Sequence, residues 1–211
     1  MVEIIRELNE NNIKKIVRII DDGGIVSFPT ETVYALVADA TNFDAVEKIY
    51  QIKRRFNDKP LPVLVGDIYQ AKRVAEFDER AKKLAFLFFP GPITLVLNSK
   101  NQTSLANNIN LNLVTVGIRM PNNVSAIQIL KAVGRPLVGT SANISNQDSA
   151  VTGEEVLKTF EGQIELLLDT GVTDIGTPST IVDLTGEKVK ILREGAIARA
   201  VIEDILGEKT I

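Results

Sequence analysis

The 211-residue chain contains no cysteine and no histidine. Without cysteine there is no disulfide framework, no thiolate nucleophile and no cysteine-held zinc or iron–sulfur centre. Without histidine, Ser-His-Asp catalysis, imidazole general bases and most zinc hydrolase chemistry are excluded. Aromatic residues make up only 5%, and they are not interleaved with basic residues as an RNA-stacking platform requires. No apolar run approaches the roughly 18 to 20 residues of a membrane-spanning helix. The first fifteen residues mix acids and bases where a signal peptide would be apolar, so cytoplasmic residence is expected. There is no GxxxxGK(S/T) loop and no GxGxxG after a strand, which disfavours the common nucleotide folds. Any reaction must run on carboxylates, lysine, arginine, hydroxyls, backbone groups, or a metal held mainly by substrate phosphates.

What is present suits one globular domain: 45% hydrophobic and 24% charged residues, with a net charge of −3. The cations are locally concentrated. Between Lys48 and Lys59 stand Lys48, Lys53, Arg54, Arg55 and Lys59, against Asp58 alone. A solvated helix face explains such a run as well as an anion site does. Hydrophobic periodicity predicts helices over 9–21, 42–52, 78–89, 123–133, 153–160 and 199–206. It predicts strands over 24–28, 61–65, 93–97, 114–118, 136–140, 164–168, 180–184 and 189–192. This is an α/β single domain, a twisted mixed sheet flanked by helices. The asparagine-rich stretch 98–112 and the polar stretch 143–153 read as loops and are candidate lids. Small and hydroxyl residues cluster at strand ends: Pro29-Thr-Glu-Thr32, Gly139-Thr-Ser-Ala-Asn143 and Thr177-Pro-Ser-Thr180. Each alone is ordinary turn chemistry. Three of them beside a basic segment point to a shared pocket.

Those clusters belong to an ordered series of motifs. The run from Gly23 to Leu36, Lys53-Arg-Arg55 with Lys59-Pro-Leu61, and Phe89 to Val96 come first. Val116-Gly-Ile-Arg-Met-Pro121, Thr140-Ser-Ala-Asn143, Ser179 to Asp183 and Leu192 to Ile197 follow. The set resembles the threonylcarbamoyl-AMP synthase family, the YrdC-type domain, with its KxR and SxN pair. The resemblance implies a YrdC/RibB-like fold with a basic concave cleft, occupying residues 9–200, with 201–211 as a C-terminal helix or tail. It is similar to the short, single-domain form.

The implied activity joins L-threonine, bicarbonate and ATP into threonylcarbamoyl-AMP and pyrophosphate, for N6-threonylcarbamoyladenosine in tRNA. It implies Lys53, Arg55, Ser141 and Asn143 as the catalytic group, and Thr30, Thr32, Tyr34, Arg119 and Thr180 around L-threonine. Arg119 would pair with the α-carboxylate. Arg55, Lys59, Thr115, Thr140, Ser141, Asn143 and Arg193 would bind ATP. Mg²⁺ would be bound mainly through the ATP phosphates, with no protein metal ligands assigned. Implied partners are the tRNA threonylcarbamoyl-transferase proteins, with weak direct tRNA contact and no membrane. The chemistry suits the residue menu, because the attacking carbamate is already an anion and needs no histidine base.

The chain departs from the family pattern at Ala35, Val37, Phe56 and Leu64 and in the loop Ser145–Thr152. These changes surround the pocket and leave a same-fold paralogue with another amino-acid preference as one alternative. A non-catalytic module that binds RNA phosphates through its basic segment, and a structural subunit of the tRNA-modifying assembly, are the others.

Overall fold

The computed structural model describes residues 1–55, 59–100, 103–110 and 114–211. Phe56 and, in the asparagine-rich stretch, residues 101, 102, 111 and 112 lie outside the described residues. The helices are α1 (Glu10–Asp21), α2 (Phe43–Ile52), α3 (Ile68–Val74), α4 (Glu79–Phe88), α5 (Val124–Val133), α6 (Gly153–Phe160) and α7 (Arg199–Leu206). The strands are β1 (Glu3–Ile5), β2 (Val26–Pro29), β3 (Tyr34–Asp39), β4 (Val63–Leu64), β5 (Ile93–Asn98), β6 (Thr115–Arg119), β7 (Leu137–Ser141), β8 (Leu166–Leu168), β9 (Thr180–Asp183) and β10 (Lys190–Arg193). The first six helices start on Asn9, Asn42, Asp67, Asp78, Asn123 and Thr152, each accepting a backbone N–H of the first turn. Each such cap satisfies a donor the helix cannot, worth about 1 kcal/mol. Helix α5 stops at Gly134, whose φ of 74° suits glycine.

All ten strands form one sheet in the order β1-β8-β2-β3-β7-β4-β6-β5-β9-β10. The pairs β1/β8, β2/β8, β4/β6 and β5/β9 are parallel and the other five antiparallel, so the sheet is mixed. Strand alternation sends Leu36, Val63, Leu95, Ile118 and Val182 to one face, in a core shared with residues of α2, α4, α6 and α7. The opposite face carries Val26, Phe28, Val37 and Leu137, closed by Ile16 and Ile20 of α1 and Ile129 and Leu130 of α5. Ile16 and Ile20 are fully buried; each contributes about 1.5–3 kcal/mol of burial.

Four features differ from the sequence expectation. Strand β3 was not foreseen: it is buried on both faces, so Tyr34–Asp39 shows no alternation of apolar and polar residues. Strand β1 and helix α3, of three and seven residues, are too short for a periodic signal. The fold also runs past both ends of the 9–200 span. Strand β1 joins the sheet, and Ile211 exchanges backbone hydrogen bonds with Val189 and Ile191. Finally, the 98–112 stretch is not merely polar loop. Leu105, Ala106 and Ile109 are buried, and the Ile109 carbonyl accepts from the Leu61 N–H and the Tyr50 hydroxyl. The other candidate lid is tied down by backbone bonds, Ser145 N–H to the Lys53 carbonyl and Ala150 N–H to that of Ala142.

Candidate functional site

Beyond α1 and α5, the second face of the sheet holds a cavity of about 130 Å³ instead of core. Its apolar lining includes Val33, Ala35, Leu64 and Ile181, and its polar lining Thr30, Thr94, Ser141 and Ser179. Gly139 is required beneath Leu64: a Cβ there would lie 2.3 Å from Leu64 Cδ1. Three guanidinium residues, Arg55, Arg119 and Arg193, reach this small space, and none of the described lining residues is acidic.

Arg119 ends β6 and is 8% exposed. Its Nη2 donates to Glu31 Oε1 at 2.9 Å, Thr32 Oγ1 at 2.8 Å and, at 3.4 Å, Thr30 Oγ1. The second Glu31 oxygen accepts the Asn122 N–H at 3.0 Å. One nitrogen thus carries these contacts, while Arg119 Nε is buried without a partner among the described residues. A buried unpaired donor costs about 1–3 kcal/mol, so the geometry favours an incoming anion on that edge.

Arg193 donates through Nε and Nη2 to the Ser179 carbonyl, at 3.0 and 2.8 Å, and through Nη2 to Ser179 Oγ. Its pKa is lowered, first by burial and then by the charges of Arg119 and Arg55. Arg55 is braced on the carbonyls of Lys59 and Pro60, each at 3.0 Å. Cations that repel one another at fixed positions are stabilised by a polyanion.

Lys53 caps the C-terminus of α2 and is only 1% exposed. Its Nζ donates to the carbonyls of Ser141 (2.5 Å) and Asn143 (2.7 Å) and to Asn143 Oδ1 (3.2 Å). Burial, and then Arg55, hold its pKa down to about 7. Asn143 Oδ1 also accepts from Ser141 Oγ at 2.6 Å, and Asn143 Nδ2 donates to the carbonyls of Ile144 and Gln147. Lys53 and Asn143 therefore build the corner that ends β7. Of the three, Ser141 alone lines the cavity.

Of the residues expected from sequence, Thr30, Tyr34, Arg55, Arg119, Thr140, Ser141 and Arg193 line the cavity, and Thr32 touches it through Arg119. The rest stand elsewhere. Thr180 is turned into the opposite core: its hydroxyl donates to the Ile197 carbonyl and accepts the N–H groups of Gly195 and Ile197. Thr115 accepts from Asn110 and lies outside the lining, as does Lys59, whose Nζ is 3.5 Å from Asn146 Oδ1. Tyr34 contributes to the wall, but its hydroxyl is committed to Asp169 Oδ1 and the Gly171 carbonyl, and its pKa is raised by burial and Asp169. Sequence reasoning gave no role to Thr94, or to Ser179 within the Thr177–Thr180 cluster, and their hydroxyls meet at 3.0 Å. A lone hydroxyl inside the apolar run Ile93–Leu97 was the available signal for Thr94.

Among the described residues there is no group of three or more His, Cys, Asp or Glu placed to hold a metal. Glu31, the carboxylate nearest this web, is already engaged by Arg119 and Asn122. The described residues of this web do not suit a resident metal. No helix among the described residues is long and apolar enough to cross a membrane.

The Sua5/YciO/YrdC family model, described as telomere recombination, matches residues 18–195. A threonylcarbamoyl-AMP synthase of Bacillus subtilis (strain 168) is 37% identical over 209 residues, covering 98% of this chain and 60% of that protein. A putative threonylcarbamoyl-AMP synthase of Methanocaldococcus jannaschii is 36% identical over 197 residues, 92% of each chain. The crystal structure of Pyrococcus abyssi Sua5 complexed with L-threonine superposes with a TM-score of 0.93 at 37% identity, covering 100% of this chain and 62% of that one. The chain spans about three fifths of the length of the Bacillus and Pyrococcus relatives. With the matched span and the near-full overlap with the Methanocaldococcus protein, the chain belongs to the Sua5/YciO/YrdC family.

Proposed function

We propose that this chain is a nucleotidyltransferase that forms threonylcarbamoyl-AMP from L-threonine, bicarbonate and MgATP. The observation that carries the reading is the ring of Arg55, Arg119 and Arg193 around a cavity of about 130 Å³ with Ser141 at its edge. A relative of the same fold binds L-threonine, and relatives named for the reaction share more than a third of this sequence.

L-Threonine and bicarbonate condense to N-carboxy-threonine with loss of water. A carbamate oxygen then attacks the α-phosphorus, a P–O bond forms, the bond to the β-phosphate breaks, and pyrophosphate leaves with the electron pair. No proton has to be removed from the attacking anion, so a protein base is not needed. The task is to bring two anions together and stabilise charge as it builds.

In this scheme the Nε edge of Arg119 takes the amino-acid carboxylate, with Thr30 and Thr32 beside it. Arg55 and Arg193 neutralise the phosphates, arginine offering a planar fork of donors. Ser141 already donates to Asn143, so its lone pairs face the cavity; to serve a phosphate oxygen as a donor, its hydroxyl must turn. Lys53 and Asn143 act as positioning residues that fix the Ser141 corner. Tyr34 serves as wall, and Thr180, Thr115 and Lys59 take no part in first contact. The product adenylate would pass to tRNA threonylcarbamoyl-transferase proteins. Pyrophosphate release, measured with and without L-threonine and bicarbonate and with serine and valine as controls, tests the reading. Release that depends on both threonine and bicarbonate supports it. Release that no amino acid stimulates, with ATP still bound, removes it and leaves a paralogue of other specificity.

A further inference from the structure

A second concavity, of about 530 Å³, is lined by α3, α4 and α5 beyond the C-terminal ends of β4 and β6. Each helix contributes an apolar residue and a lysine four positions apart: Ile68 and Lys72, Lys82 and Phe86, Ile127 and Lys131. That spacing sets the two on one helical face, so an apolar floor is flanked by a lysine on each wall. Phe86 is 87% exposed, far more than a core aromatic requires. Met120, which follows Arg119, adds a pliable side chain to the floor.

Among the described lining residues three lysines stand against one carboxylate. Asp67 is the acidic lining residue, and its carboxylate caps α3 through the Gln70 N–H. Lys82 has an exposed partner in Glu79, a pair worth little in water. Lys72 and Lys131 have no acceptor among the described residues.

We infer that this groove is a docking site for an acidic amphipathic helix of a partner protein. Its leucine-like stripe would lie on Ile68, Phe86 and Ile127, with carboxylates on its flanks meeting the three lysines. Helix-in-groove binding lays the apolar face of an amphipathic helix into a hydrophobic groove, and the lysines here set the sign of charge its flanks should carry. A single-stranded nucleic acid would need a continuous track of cations for its backbone, whereas here the lysines stand one to a helix around a floor of Ile68, Met120, Ile127 and phenylalanines. The groove is separate from the catalytic cavity and does not depend on the reaction proposed for it. The two are adjacent through the chain, since Met120 lines one and Arg119 the other, and the Gly91 N–H holds the Met120 carbonyl at 2.8 Å.

The test uses the full chain with methyl-labelled isoleucine and methionine. The probe is a synthetic peptide of about 18 residues with leucines on one helical face and glutamates on its flanks. Saturable shifts of the Ile68, Met120 and Ile127 methyls are expected. Phe86→Ala, and separately the double change K72E/K131E, should each weaken binding by at least about tenfold. Phe86 is exposed and both lysines are surface residues, so an unchanged melting temperature shows that the variants fold. The same peptide with lysines for glutamates should not bind. Equal binding of that control, no saturable shift, stronger perturbation of these methyls by an RNA oligonucleotide, or concentration-dependent dimerisation abolished by Phe86→Ala would each overturn the assignment.

Discussion

Lys53→Met tests whether the corner at the end of β7 is a built element or an incidental contact. Methionine has a similar reach and adds no charge, so it removes the donors while keeping most of the volume. The Asn143 carbonyl loses its one hydrogen-bond donor among the described residues, whereas the Ser141 carbonyl keeps the Asn143 N–H and Asn143 Oδ1 keeps Ser141 Oγ. An orphaned acceptor costs about 1–3 kcal/mol and a lost bond to a satisfied one about 0.5–1.5. Part of this is offset, because methionine carries no ammonium to desolvate. A net loss of about 2–4 kcal/mol follows, or about 4–16 °C in melting temperature at 2–4 °C per kcal/mol for a chain of this size. Thermal unfolding with and without MgATP measures it, alongside pyrophosphate release. Release should fall at least about tenfold, as misplacing a group worth about 1.4 kcal/mol at the transition state requires. An unchanged melting temperature combined with a raised KM for ATP alone would refute the reasoning and make Lys53 a phosphate ligand.

Other consequences follow from single contacts. Arg119→Lys keeps the charge and removes the unpaired Nε edge, so KM for L-threonine should rise about 10–100-fold, matching the loss of a charge-assisted bond of about 1.5–3 kcal/mol; steady-state kinetics with KM within threefold of wild type would count against it. Thr180→Val orphans the buried N–H groups of Gly195 and Ile197 and should cost about 2–4 kcal/mol in denaturant unfolding. Thr180→Ser should restore it, with KM for threonine unmoved in either folded protein. A specific rise in that KM would return Thr180 to the substrate site. Lys53 should titrate near 7 in its side-chain NMR signals, below the ordinary lysine range because burial and Arg55 oppose the ammonium. A bound polyanion favours the charged form, so ATP should raise this midpoint, and a midpoint that falls would contradict the electrostatics.

Much of the architecture was legible because its determinants are local. Asn9, Asn42, Asp78, Asn123 and Thr152 announce helix starts by capping chemistry, and most strands are bounded by glycine, proline or hydroxyl residues. Strand β3 was not, since burial on both faces erases the period of two. At the site, residue types were readable but directions were not. Ser179 and Thr180 are adjacent hydroxyls in one motif, and the pleat sends Thr180 to the helix-covered core. Ser179 lies on the cavity beside Arg193. The charge run alone left Lys53 as one cation among five, and only the family resemblance singled it out. Only the return of β7 beside β3 and the turn at Asn143 bury it, and those are contacts made about ninety residues away in the sequence.

Incubating the chain with L-threonine, MgATP and ¹³C-bicarbonate and analysing the nucleotides by mass spectrometry tests the proposed reaction most directly. An adenylate carrying both threonine and the ¹³C label is expected, formed together with pyrophosphate and lost when threonine is omitted. Adenylate that lacks the label, or ATP recovered unchanged while L-threonine and ATP both bind, would contradict it.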